Sequence, residues 1–303
     1  MAELIKKIRT ASGDLQIDYN SLANLPSLNT NLLINSNFKS PINQRNATSY
    51  TVASGNTSRV YGIDRWWIKG AGAAMTVQSG YVGVSLPSGC DFGQALEIDY
   101  KSYDNMTVSV KLKGDSAVKS ATISGLSSKS ASTETFVNLT STVKVGFFVF
   151  GHGMYMYLRP ISSAVTLNIE WIKLESGSAA TPFMPRLKSE EVILCKRFYQ
   201  VITIRNSDVV CSLYKRQENT YGGLMYFESM YRIPTVTKAG EFYVEQYNTS
   251  GAYATFSDKI TSIEIVPQWS ALKFNITLST VDPVNHLGTS SESIVFRLDA
   301  EYD

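Results

Sequence analysis

Short runs in which apolar and polar residues alternate recur along most of this 303-residue chain, and this pattern constrains the fold more than any other feature. Within residues 165–174, every second residue from Val165 to Trp171 is apolar, and Thr, Asn and Glu lie between them. That is the period of a strand with one buried face. Nine such runs are predicted before residue 176, at residues 60–69, 74–79, 81–86, 95–100, 106–113, 118–124, 143–150, 154–159 and 165–174. Because Gly- and Ser-rich turns separate them and no convincing helix intervenes, the sequence predicts an all-β jelly roll or β-sandwich.

A break in this pattern predicts a linker and a short helix. Gly177 and the small residues beside it end the alternation, and Pro182 and Pro185 keep the backbone extended. Ser189 can then act as the N-cap of a helix with acidic residues in its first turn and basic residues in its last. The helix is therefore expected to open a second domain.

Seven further strand-like runs follow, at residues 201–205, 209–216, 224–231, 241–247, 260–266, 272–278 and 294–302. They predict a second, small β-sandwich-like domain. The expected organisation is an N-terminal segment at residues 1–30, a jelly roll at 31–175, a linker with its helix at 176–199 and a β-rich domain at 200–303.

The N-terminal segment is too small to bury a core of its own. Leu4, Ile5 and Ile8 have the spacing of a helical turn or two, and residues 15–19 alternate like a short strand. We expect this segment to pack on a partner, either neighbouring copies of the chain or the structure to which it attaches. A frayed terminus is the alternative.

Composition excludes several classes of partner. The formal net charge is only +2, and the Lys and Arg residues are scattered instead of forming a basic stripe among aromatics, so nucleic-acid binding is not expected. Three cysteines leave an odd count with no paired spacing, which predicts no disulfide framework and fits a reducing cytoplasm. No run has the length of a signal-peptide core or a membrane span, so membrane insertion is not expected.

Candidates for catalysis are few. His152 and His286 lie far apart in predicted loops, and no triad or zinc motif accompanies them. Glu97 and Asp99 fall on one face of a predicted strand, about 7 Å apart, which is the kind of carboxylate pair that a glycosidase needs. Paired acids on a strand more often form a solvated face. We therefore predict no catalytic residue and a protein that is not an enzyme, with a glycan-degrading enzyme or its accessory module as the alternative.

Aromatic residues are the best candidates for ligand binding, because a flat ring can stack on the apolar face of a sugar while nearby polar groups bind its hydroxyls. Trp66 and Trp67 must point to opposite faces of a strand, so one is expected in the core and the other at a surface. Tyr155, Tyr157 and Arg159 alternate onto a common face, for which core packing is the competing interpretation.

Four aromatic residues of the second domain lie on or beside predicted turns, where recognition residues concentrate: Tyr243, Tyr247, Tyr253 and Trp269. We expect them to contact a receptor if this domain is the distal tip.

Several motifs resemble those of tail-fibre and receptor-binding proteins of bacteriophages and prophages. The junction L-E-S-G-S-A-A-T-P-F-M-P-R followed by S-E-E-V-I-L-C-K-R-F-Y is similar to one that follows a jelly roll in that family. N-L-L-I-N-S-N-F at residues 31–38, M-Y-R-I-P-T-V-T at 230–237 and L-D-A-E-Y at 298–302 resemble further stretches of it. A D-R-W run also recurs there, and the resemblance implies a structural role for Asp64 and Arg65.

The resemblance implies a viral protein that adheres to bacterial surface polysaccharide. Its jelly roll would be of the carbohydrate-binding type, with the first and last strands close together, and the β-rich domain would form a head. The chain would work as a homotrimer, attach to other tail or baseplate proteins through its N-terminal segment, and be made in the host cytoplasm before joining a virion tail or prophage-derived particle. A purely structural tail or baseplate spacer is the remaining alternative.

No cofactor is expected, and the resemblance adds a structural calcium ion as the alternative. Related jelly rolls hold a structural calcium ion between the loop after the first strand and an acid on the last strand, which correspond here to Asn37 and Glu170. Calcium takes six to eight oxygen ligands, of which the sequence offers only a few.

Overall fold

The computed structural model describes residues 7–10, 13–16, 31–150, 153–205, 208–247, 253–256, 260–279, 284, 286–289 and 293–301. At residues 7–10, 13–16, 245–247, 253–256 and 289 only the backbone is described. The described part is mostly antiparallel β-sheet, which confirms the predicted all-β class. None of its helices is long and apolar enough to cross a membrane.

The N-terminal segment contributes a two-stranded hairpin, β1 (Lys7–Thr10) and β2 (Gly13–Gln16), which pair antiparallel. Ile8 therefore lies in a strand and not in the predicted helical turn, while Leu4 and Ile5 fall outside the described residues. Three apolar residues at helical spacing are a weaker signal than a complementary strand a few residues away.

Twelve strands form the jelly-roll region: β3 (Ser49–Thr51), β4 (Val60–Tyr61), β5 (Trp67–Lys69), β6 (Ala74–Gln78), β7 (Tyr81–Leu86), β8 (Asp91–Leu96), β9 (Met106–Leu112), β10 (Lys119–Ile123), β11 (Glu134–Asn138), β12 (Val143–Phe150), β13 (Gly153–Pro160) and β14 (Val165–Ser176). The first sheet has the order β10-β9-β14-β7-β6-β3 and the second the order β11-β12-β13-β8-β5-β4. One large apolar cluster joins the two sheets, so the region is a sandwich around a single core.

The opening and closing segments of this region lie side by side, as the resemblance implied. The Leu32 amide donates to the Leu174 carbonyl at 2.8 Å, and the Ile172 amide donates to the Ser36 carbonyl at 3.1 Å. Residues 31–38 do not form a regular strand, however, and only Asn37 makes a β-bridge, to Trp171. The chain therefore enters the sandwich by a bent segment that the last strand holds in place.

The linker ends in helix α1 (Lys188–Lys196). Leu187 occupies the N-cap position without a side-chain cap bond, so the prediction that Ser189 caps the helix is wrong. Glu191 in the first turn accepts a hydrogen bond from the Asn35 amide at 2.6 Å and pairs with Arg186 at 2.9 Å. Contacts with the jelly roll and the linker therefore secure this end of the helix.

The described residues of the C-terminal domain contain ten strands: β15 (Tyr199–Ile204), β16 (Val209–Gln217), β17 (Thr220–Tyr226), β18 (Thr235–Ala239), β19 (Phe242–Tyr247), β20 (Tyr253–Phe256), β21 (Ile260–Pro267), β22 (Ala271–Leu278), β23 (His286–Thr289) and β24 (Ile294–Asp299). They form a three-stranded sheet, β15-β24-β18, and a seven-stranded sheet, β20-β19-β23-β16-β17-β22-β21, over a second apolar cluster. His286, which was expected in a loop, begins β23.

A buried ion pair fastens the C-terminal domain to the jelly roll. The Arg65 guanidinium donates to Glu301 at 2.6 Å and to the Ala95 carbonyl at 2.6 Å, and it lies 3.4 Å from the ring centroid of Phe198. Both charged side chains are almost fully buried, and the Arg65 amide also donates to Glu301 at 3.0 Å. Glu301 belongs to L-D-A-E-Y and Arg65 to D-R-W, so two of the motifs that were singled out in the sequence contact each other.

Asp64, the acid of D-R-W, is fully buried at the same junction. It accepts hydrogen bonds from the Gln44 amide at 3.1 Å and the Gln44 side chain at 2.7 Å, and Arg45 lies at 3.5 Å. Burial raises its pKa from 3.8 to about 6, although the Gln44 bonds and Arg45 oppose the shift. The folded state therefore favours the protonated acid at mildly acidic pH.

This shift predicts a pH dependence of stability. The raised pKa stabilises the fold fully below pH 3.8, and the contribution is lost as pH rises through about 6. In urea unfolding, the wild type should lose roughly 3 kcal/mol relative to Asp64→Asn over this interval, because Asn mimics the neutral acid at every pH. Asp115→Asn, which changes an exposed acid, should give a curve parallel to the wild type. Parallel curves for Asp64→Asn as well would contradict the assigned shift.

Candidate functional site

A cleft of about 320 Å³ lies on the face of the second sheet that is turned away from the jelly-roll core. We call it the aromatic cleft, and its lining residues are Arg59, Trp67, Lys69, Asp91, Ser132, Glu134, Phe148, Tyr155, Tyr157 and Arg159. Four of the residues predicted to bind a ligand are among them: Trp67, Tyr155, Tyr157 and Arg159. The structure thus brings the second Trp and the alternating patch of β13 into one site.

The floor of the aromatic cleft is a compact cluster of rings. Trp67, Tyr155 and Tyr157 pack together with ring centroids 6.1 and 6.3 Å from Trp67, and each is at most 6% exposed. Gly93 lies opposite both Trp67 and Tyr157 in the ladder, and a Cβ there would lie 2.5 Å from Tyr157 Cβ and 2.9 Å from the Trp67 ring. The glycine therefore allows both side chains to lie flat on the sheet.

Charged side chains form the wall above this floor. Arg159 donates two hydrogen bonds to Asp91, from Nε at 2.6 Å and from Nη2 at 2.9 Å, and its Nη1 lies 3.3 Å from Glu134. The Tyr157 hydroxyl also donates to Glu134. One guanidinium thus holds two carboxylates in fixed positions, which is the rigid polar geometry that sugar hydroxyls need.

The pKa shifts follow from this arrangement. Burial raises the pKa of Asp91, although the hydrogen bonds and charge of Arg159 oppose the shift. The hydrogen bond to Asp91 raises the pKa of Arg159, which keeps the guanidinium charged. Burial, and then the bond to Glu134, raises the pKa of Tyr157, so the phenol stays protonated. The cleft therefore presents permanent donors beside two acceptor groups.

A residue that lines this cleft has a buried donor without an acceptor in the described part of the chain. Trp67 is 2% exposed, and its indole Nε1–H makes no hydrogen bond within the described part of the chain. A buried donor without a partner carries a cost of about 1–3 kcal/mol, which a ligand oxygen would relieve. The orphan indole is therefore one feature of the cleft that points to a ligand.

Trp66, by contrast, belongs to the core and not to the site. Its indole donates to the carbonyls of Ile34 and Asn35 at 3.1 and 2.9 Å, and its ring stacks on Phe92 with centroids 4.8 Å apart. The predicted division of the two tryptophans between opposite faces is confirmed, and ligand binding by Trp66 is excluded because its side chain is fully buried.

The four aromatic candidates of the C-terminal domain do not form one site. Trp269 lies in the β21–β22 turn and is 54% exposed, as expected of a receptor contact. Tyr243 lies inside β19 with its side chain buried against Gly288, so its predicted place beside a turn is wrong. Tyr247 and Tyr253 face each other in the β19–β20 ladder, and their side chains lie outside the described residues.

The two residues expected to hold calcium both contact Lys39. Asn37 and Glu170 lie on either side of Lys39, whose ammonium is 2.9 Å from Glu170 and whose amide is 3.4 Å from Asn37 Oδ1. The Lys39 ammonium thus supplies the positive charge beside Glu170 in this structure. Within the described ranges, no group of three or more His, Cys, Asp or Glu residues could hold a metal ion.

Glu97 and Asp99 do not form the carboxylate pair that the sequence suggested. Strand β8 ends at Leu96, so Glu97 and Asp99 do not share a strand face. Glu97 pairs with Arg197 at 2.7 Å, and Asp99 caps a short 3₁₀ helix (Tyr100–Ser102). Both acids therefore have structural contacts at the edges of the sandwich.

Three important site residues were missed in the sequence: Asp91, Glu134 and Arg59. Asp91 opens β8, a strand buried on both faces that shows no alternation. Glu134 opens β11, a short edge strand. Arg59 precedes β4, and its guanidinium lies 4.0 Å from the Tyr155 ring centroid. A search for charges opposite the predicted Tyr–Tyr–Arg patch could have found Asp91, but no local signal marked the other two.

No protein-family model matches this chain, and no curated protein matches its sequence. The proposal for its function therefore rests on the residues of the aromatic cleft.

Proposed function

We propose that this chain is a receptor-binding protein of the phage or prophage tail-fibre type, which holds a bacterial surface glycan in the aromatic cleft without cleaving it. The composition of the cleft carries the proposal, because fixed polar groups surround a floor of aromatic rings. The Trp67 indole, a donor without an acceptor in the described part of the chain, adds support. The cleft volume, about 320 Å³, lies at the lower end of ligand sites and suits one or two sugar units.

The carboxylates of the cleft support binding more than hydrolysis. A glycosidase needs one carboxylic acid that delivers a proton and a second carboxylate that acts on the opposite side of the bond. Both oxygens of Asp91 accept hydrogen bonds from Arg159, and Glu134 accepts one from Tyr157 and lies beside the same guanidinium. Groups engaged in this way are acceptors for ligand hydroxyls and are poorly placed to donate a proton.

Assembly into a homotrimer would make such a site effective. Single sugar sites often bind in the millimolar range, about 4 kcal/mol, and several linked copies raise the effective concentration. The β1–β2 hairpin pairs with no other strand of the described part, and an isolated hairpin is marginal in water. Met184, Leu187 and Ile193, on and beside α1, are large apolar side chains that stay exposed. Both features support contacts between copies or with another particle protein.

Glycan binding by the intact protein tests this proposal. Glu134→Gln should weaken binding to the preferred glycan on an array of bacterial surface polysaccharides by about tenfold or more, because a charge-assisted hydrogen bond is lost. Glu264→Gln is the matched control, since this exposed acid lies on β21 in the other domain. Equal binding by both variants and the wild type would remove the aromatic cleft from recognition, and no binding to any polysaccharide would favour a structural spacer.

A further inference from the structure

A second cleft, of about 420 Å³, lies between the jelly roll and the C-terminal domain. We call it the junction cleft. Four arginines line it: Arg45 and Arg59 come from the jelly roll, and Arg232 and Arg297 come from the C-terminal domain. Because two arginines come from each side, this concentration of charge exists only when the two domains are docked.

The junction cleft carries a surplus of positive charge. Its four arginines face two carboxylates, Asp299 and Glu301. Glu301 already neutralises Arg65, which is buried at the same junction. Arg45 lies 3.2 Å from Asp299 and 3.5 Å from Asp64, whereas Arg59 and Arg297 form no ion pair in the described part of the chain. Since guanidinium groups stay charged at any physiological pH, the local surplus persists in a chain whose whole formal charge is only +2.

Two buried nitrogens of the arginines that line this cleft make no hydrogen bond in the described part of the chain. They are Nε of Arg59 and Nη1 of Arg45, the latter 3.5 Å from Asp64 Oδ1. Stacking explains part of the arrangement, since the Arg45 guanidinium lies 3.8 Å from the Tyr199 ring centroid. Stacking does not satisfy these two in-plane N–H groups, however, and in-plane guanidinium N–H groups bind carboxylate or phosphate oxygens.

Arg59 connects the two clefts. It lines both of them, and its guanidinium lies 4.0 Å from the Tyr155 ring centroid and 5.1 Å from that of Trp67. A sugar residue in the aromatic cleft would therefore lie next to a cationic pocket. The exposed β18 residues Thr235 and Thr237 line the far side of that pocket, where their hydroxyls can add hydrogen bonds.

We propose that the junction cleft binds the anionic group of an acidic glycan, a phosphate or a carboxylate, whose neighbouring sugar occupies the aromatic cleft. This inference rests on the proposed function and narrows it from glycans in general to acidic ones. It also assigns a role in recognition to the docking of the two domains, because neither domain alone supplies the four arginines.

The test uses the full chain and three polysaccharides at low ionic strength: one with phosphodiester groups, one with uronic acids and one neutral. The wild type should bind at least one acidic polymer about tenfold more tightly than the neutral polymer, and salt should reduce this preference. The double variant Arg232→Gln/Arg297→Gln should lose the preference but bind the neutral polymer like the wild type. Millimolar inorganic phosphate should raise the melting temperature of the wild type and leave that of the double variant unchanged.

The outcomes separate the two proposals. Equal binding of acidic and neutral polymers, weakened by Glu134→Gln, would overturn the anion site and leave glycan binding in place. Binding to no polysaccharide would remove both. An acidic preference that survives in the double variant would place the anion elsewhere and overturn the inference. Tighter binding to single-stranded DNA than to any of the polysaccharides would overturn it as well, because the phosphates recognised would then belong to a nucleic acid.

Discussion

Glu301→Gln should lower the free energy of unfolding by about 3–5 kcal/mol, because it leaves the Arg65 guanidinium buried without a counter-charge. Arg65 is fully buried, its Nη1 is 2.6 Å from Glu301, and its Nε has no acceptor in the described part of the chain. Water therefore cannot solvate the uncompensated charge unless the junction opens. In urea, we expect the jelly roll and the C-terminal domain of this variant to unfold in two separate transitions.

Two controls distinguish the cost of an uncompensated buried charge from the cost of losing an ordinary contact. Arg65→Met/Glu301→Leu replaces the pair with apolar side chains and should recover most of the lost stability, since buried ion pairs are often no better than apolar substitutes. Asp115→Asn removes an exposed partner of Lys119 and should cost less than about 1 kcal/mol. A loss from Glu301→Gln no larger than that of Asp115→Asn would show that the pair does not fasten the domains.

The two adjacent tryptophans should respond to substitution in opposite ways. Trp66→Ala should cost about 3–5 kcal/mol of stability, because it empties a fully buried position between Phe38 and Phe92. Trp67→Phe keeps an aromatic ring on the floor of the cleft and removes a donor that has no protein acceptor in the described part of the chain. We expect little or no loss of stability from it, together with about tenfold weaker glycan binding.

Trp66→Phe is the matched control for this pair, and unfolding and glycan binding should be measured on the same preparations. It should lower stability, since it leaves the Ile34 and Asn35 carbonyls without the indole donor, while the glycan affinity of the folded fraction stays at the wild-type value. If Trp67→Phe lowered stability as much as Trp66→Phe and left binding unchanged, Trp67 would be a packing residue only.

The sequence predicted the fold class because burial on one face imposes a period of two. The first half of strand β14 illustrates this, since Leu167 and Ile169 are buried in the core while Thr166 and Asn168 are exposed. Strand β8 does not follow this pattern. All six of its residues are buried, so no alternation marks it, and Asp91 was overlooked with it.

The junction could not be predicted for a different reason. Arg65 and Glu301 are 236 positions apart, and no local pattern shows which arginine meets which acid. The same holds for the arginines of the junction cleft, which become neighbours only when the domains dock. The site residues that were predicted, such as Tyr155 and Tyr157, share one strand, so that local periodicity alone places them together.

The most direct test of the account is the chain length of a bound polysaccharide. The intact protein is incubated with the surface polysaccharide that it binds best on an array, and the recovered polymer is analysed by size and by its content of reducing ends. We predict retained polysaccharide of unchanged length. Shortened chains and new reducing ends that disappear in Glu134→Gln or Asp91→Asn would show that the cleft is an active site.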